Sequence, residues 1–79
     1  MLSDEAKLLM AGDRWEAYGD PKVQFNRLAS FWSGVIGKEV TPRQVCLCLM
    51  LMKVSREIHS ARKDNRVDLV AYTEMLEEL

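Results

Sequence analysis

The 79-residue chain has little of what stiffens a small protein by covalent or metal bonds: two cysteines, one histidine and no Cys-x-x-Cys pair. A tetrahedral zinc site cannot be assembled from that set within one chain, and neither can a disulfide framework. Cys46 and Cys48 are two apart inside an apolar run, a spacing that points them to nearly opposite sides of a helix. They read as buried thiols acting as small hydrophobes in a reducing compartment. Glycine (4) and proline (2) are also scarce, while hydrophobic residues reach 48% and charged residues 29%, so collagen-like, low-complexity and disordered chains are excluded. Long apolar runs are missing: Val45 to Met52 is the longest at eight residues, far below the roughly 20 that span a bilayer. The first residues, Met1-Leu2-Ser3-Asp4-Glu5, bring acids where a signal peptide needs an apolar segment, which predicts a cytoplasmic protein. The net charge of −1 gives no general affinity for nucleic acid.

What is present is helix signal, with almost no strand signal. Ser3 can cap a first short helix, with Asp4 and Glu5 in its opening turn and Ala6, Leu8 and Leu9 on one side. Gly12-Asp13-Arg14 interrupts the pattern, and Trp15 to Tyr18 can form a further turn before Gly19. Asp20-Pro21 then joins an N-cap to a proline at the first helical position; Val23, Leu28, Phe31, Trp32, Val35 and Ile36 recur at helical spacing, and Gly37 suits the left-handed stop. Thr41-Pro42-Arg43-Gln44 reads as a capping box that opens the next helix. Asp64-Asn65 supplies the following break and cap, before a last helix carrying Val67, Leu69, Val70, Tyr72, Met75 and Leu76. The expectation is an all-α fold, a small bundle of about four helices forming one domain over residues 1–79.

A domain of this length buries only about 60% of the surface its unfolded chain exposes. With disulfide and metal set aside, a second subunit is the remaining source of stability. Val45 to Met52 is apolar on every side of its helix, so the run has to be covered all round, which predicts a homo-oligomer, a dimer or higher.

Charge is unevenly placed. From Lys38 to Arg66 seven cations face three acids, a local +4, and from Val67 onward four acids give −4. Lys53, Arg56 and His59 follow one another at three-residue spacing, so their heads project from one helical face just past the apolar run. Such a cationic patch suits phosphate, because Arg offers a planar fork and Lys a compact charge. Ion pairing with Asp64, Asp68 or another subunit is the alternative use of the same cations. Asp64 and Asp68, four apart, can hold a divalent cation together, although Asp64 is equally a helix cap. Arg14, Trp15, Tyr18 and Trp32 add a guanidinium and aromatic faces of the kind that stack on a base, against the ordinary role of aromatics in a core. Glu74-x-x-Glu77 has the spacing of a carboxylate metal pair in a last turn, where a solvated face is the commoner use. No Ser-His-Asp or Cys-His nucleophile set, phosphate loop or helix-turn-helix reading head is present.

Six segments together carry a likeness: Gly12-Asp13-Arg14, Tyr18-Gly19-Asp20-Pro21, Trp32-Ser33, Thr41-Pro42, Leu51-Met52-Lys53-Val54-Ser55-Arg56, and Asp64-Asn65-Arg66-Val67-Asp68 through Tyr72. In these the chain resembles a family of small phage and prophage proteins, with Gln24 where Asn is usual and Ala71 where Gly is usual. The K-x-x-R and D-x-x-x-Y helices are similar to those of phage nucleotide-modification domains and, more distantly, to the MazG-like all-α nucleoside triphosphate pyrophosphohydrolases. The resemblance implies a phage-encoded protein of the host cytoplasm that handles a nucleotide. It further implies that Arg14, Tyr18, Trp32, Lys53, Arg56, His59 and Tyr72 hold a nucleotide or a cyclic or other signalling nucleotide between subunits, to sequester or sense it without a cofactor. The alternatives are a minimal pyrophosphohydrolase with magnesium on Asp64, Asp68 and Glu57, and a helical interaction protein that blocks or bridges a host protein through the apolar run. The E-x-x-E helix that the pyrophosphohydrolases place before their second acidic motif has no counterpart here.

Overall fold

A computed structural model describes residues 20–79, which form three α-helices: α1 (Pro21–Ile36), α2 (Pro42–His59) and α3 (Lys63–Leu76). No strand occurs among the described residues, in line with the all-α expectation. The helix expected from Ser3 lies outside them, as do Arg14, Trp15 and Tyr18.

Each helix begins and ends for reasons readable in atoms. Asp20 is the N-cap of α1, its Oδ1 accepting the Lys22 N–H at 2.9 Å, with Pro21 in the first turn. Gly37 ends α1 at φ +78°, the left-handed region, and its N–H donates to the Ser33 carbonyl at 2.9 Å. Thr41 and Gln44 form the full capping box of α2: Thr41 Oγ1 accepts the Gln44 N–H at 3.1 Å and Gln44 Oε1 accepts the Thr41 N–H at 2.9 Å. The start of α3 departs from the sequence reading. Its N-cap is Arg62, whose side chain makes no cap bond, and Asp64 and Asn65 lie inside its first turn. The chain leaves α2 at Ser60, so the break comes four residues before the Asp64 expected to make it.

Helix α2 is the middle element, packing against α1 on one part of its surface and α3 on another. The core cluster joins Phe25 and Ala29 of α1, Val45 and Cys46 of α2, and Met75 of α3. Leu28, Trp32, Leu49, Met50, Tyr72 and Leu76 close around it. Val45 and Cys46 are fully buried, each such apolar side chain contributing about 1.5–3 kcal/mol at most. The Phe25 and Tyr72 rings meet edge to face with centroids 6.3 Å apart, tying α1 to α3.

One expectation about the apolar run is corrected, the burial of both thiols. Among the described helices α1 and α3 pack on α2, and Leu47, Cys48, Leu51 and Met52 remain exposed. Of the two thiols, Cys46 is buried and Cys48 is exposed, the opposite-side geometry that a spacing of two dictates. The Cys46 thiol donates to the Tyr72 carbonyl at 3.4 Å, and burial raises its pKa.

Candidate functional site

The cations cluster where α2 ends and α3 begins. The antiparallel passage of the two helices sets Lys53, two turns before the end of α2, beside Asp68, one turn into α3. Their Nζ and Oδ2 are 2.8 Å apart, and the side chains are only 13% and 17% exposed. The ion-pair alternative is therefore the one realised for Lys53: its charge faces a carboxylate within the structure. Burial of this kind commits both partners, because removing either leaves a charge in a half-desolvated place.

Glu57 organises the turn itself. Its Oε1 accepts the Arg62 N–H at 2.9 Å and the Asn65 Nδ2 at 3.3 Å, and its Oε2 accepts the Arg66 Nη1 at 2.6 Å. The Arg62 amide, followed by the Arg66 and Asn65 side chains, holds the Glu57 carboxyl below its ordinary pKa. A carboxylate from the last turns of α2 thus caps α3, which is why Arg62 needs no capping side chain and why Asn65 is buried with its amide satisfied. Sequence reading passed over this role; five residues between an acid and a chain break is too common a spacing to single it out.

The candidate residues divide accordingly. Arg56 and His59 stand on the last turns of α2, both exposed, and neither side chain bonds to a described residue. Cations there also favour the negative end of the helix macrodipole. Asp64 is exposed, with Arg62 Nε 3.7 Å from its Oδ1. Trp32 is half-buried on α1 and packs against the core cluster. Tyr72 is half-buried between Phe25 and Cys46, a level of α2 seven residues, about 10 Å, before Lys53. The described structure therefore pairs Lys53 with Asp68, leaves Arg56 and His59 exposed on the last turns of α2, and keeps Trp32 and Tyr72 with the core. Arg14 and Tyr18 lie outside the described residues.

Among the described residues no group of three or more His, Cys, Asp or Glu side chains is placed to hold a metal ion. Asp64 and Asp68 each have a cation as neighbour, and Glu57 spends both oxygens on α3. Glu74 is half-buried and Glu77 exposed at the end of α3. No helix among the described residues is long and apolar enough to cross a membrane.

Comparison with known proteins bears on the phage likeness. The Gene 55 protein of Mycobacterium phage L5 is 32% identical over 76 residues, covering 94% of this chain and 49% of the phage protein. The Gene 55 protein of Mycobacterium phage D29 is 30% identical over 79 residues, 99% of this chain and 52% of its own. The chain spans about half the length of these relatives. No solved structure matches it. The family described as "Domain of unknown function (DUF6378)" matches residues 1–79, the whole chain, and this chain, which has phage relatives and is helical over its described residues, belongs to that family.

Proposed function

We propose that the protein is a phage-type nucleotide-binding module, which holds a nucleotide or nucleotide-derived signal through Arg56 and His59 at the α2–α3 turn and sequesters or senses it at a junction between subunits. The observation that carries this reading is the division of labour among the cations. Lys53, Arg62 and Arg66 are matched to carboxylates of α2 and α3, whereas the side chains of Arg56 and His59, three apart and exposed, are matched to none of the described residues. An exposed guanidinium and imidazole on one helical face suit a phosphate group. Lys53 supports the site through its stem and its pairing with Asp68. Arg14 and Tyr18 remain the contributors that the family resemblance implies, whereas Trp32 and Tyr72 stay with the core.

The MazG-like alternative draws less support. Its magnesium would need carboxylates free to turn toward a triphosphate, and Glu57, Asp64 and Asp68 are spent on the cations and amides around them.

Purified protein incubated with a panel of nucleoside mono-, di- and triphosphates and cyclic nucleotides, followed by chromatography of the recovered ligand, tests both. Unchanged ligand retained by the parent and lost from Arg56→Met/His59→Ala supports sequestration. Cleaved ligand supports the hydrolase instead, and failure to retain any member of the panel overturns the proposal.

A further inference from the structure

We draw no further inference here: the strongest candidate, the exposed apolar stripe of Leu47, Leu51, Val54 and Ile58 along α2, is an unpartnered helix face, and nothing in the structure shows what covers it.

Discussion

Glu57 Oε1 accepts the backbone N–H of Arg62 across the turn between α2 and α3, so the carboxylate of one helix caps the next. Its carboxyl is held below the ordinary value of 4.5, chiefly by that amide. A lowered native pKa means that the unfolded chain binds the proton more tightly. The resulting stability is complete above the unfolded value and is lost as pH falls through the native one. Glu57→Gln should therefore melt below the parent at neutral pH, and the gap should close as the pH is taken well under 4.5. A gap in melting temperature that stays constant with pH would assign the carboxylate no such role.

The Lys53–Asp68 pair separates two cations that look alike in sequence. Lys53→Met removes the cation facing a carboxylate that is mostly buried, and should cost roughly 1–3 kcal/mol in thermal or chemical denaturation. Arg56→Met, at an exposed position, should stay within about 0.5 kcal/mol of the parent while weakening phosphate binding. Equal destabilisation by the two changes would contradict this assignment.

Ser33 joins the end of α1 to the start of α2. Its Oγ donates to the Ala29 carbonyl at 2.7 Å and accepts the Val40 N–H at 2.8 Å in a half-buried place. Ser33→Ala should cost about 1 kcal/mol or somewhat more, a drop of roughly 4–8 °C in Tm. Ser30→Ala, which removes only an exposed bond to the Asn26 carbonyl, should leave Tm nearly unchanged.

Two glycines three residues apart should respond with opposite sign. Gly34 lies inside α1 with open space where a Cβ would sit, so Gly34→Ala should stabilise by about 0.5–1 kcal/mol. Gly37 has equal space but φ +78°, so Gly37→Ala should cost about 1–2 kcal/mol through the backbone alone. Calorimetry on the pair distinguishes conformation from packing.

The parts of the fold that were legible in sequence are those fixed by neighbouring residues. Asp20-Pro21, Thr41 with Gln44, and Gly37 each satisfy or release backbone groups within a few positions, and each stands where it was expected. The beginning of α3 was not legible, because its amide is satisfied by Glu57 from another helix and Asp64 is left to the first turn. Cys48 looked buried because hydropathy records what a side chain prefers, and not how many helices are available to cover it. For the candidate site, the approach of Asp68 to Lys53 depends on how α3 returns along α2. Spacing within one helix cannot report that return.

The apolar cluster of Phe25, Ala29, Val45, Cys46 and Met75 involves the first half of α2, whereas around the α2–α3 turn the buried residues are Asn65 and Val67, outside that cluster. The two ends of α2 are accordingly fastened by forces of different character: dispersion and water exclusion at one, charge and hydrogen bonds at the other. Local opening should start at the charged end, with amide protons near Ser60 exchanging through brief excursions and those near Cys46 only when the whole domain unfolds. Added salt loosens the charged fastening and hardly touches the apolar one. An anion settling on Arg56 would then do more than occupy a surface: it would suppress those excursions, and the protein would register its ligand as a change in how often one end comes apart.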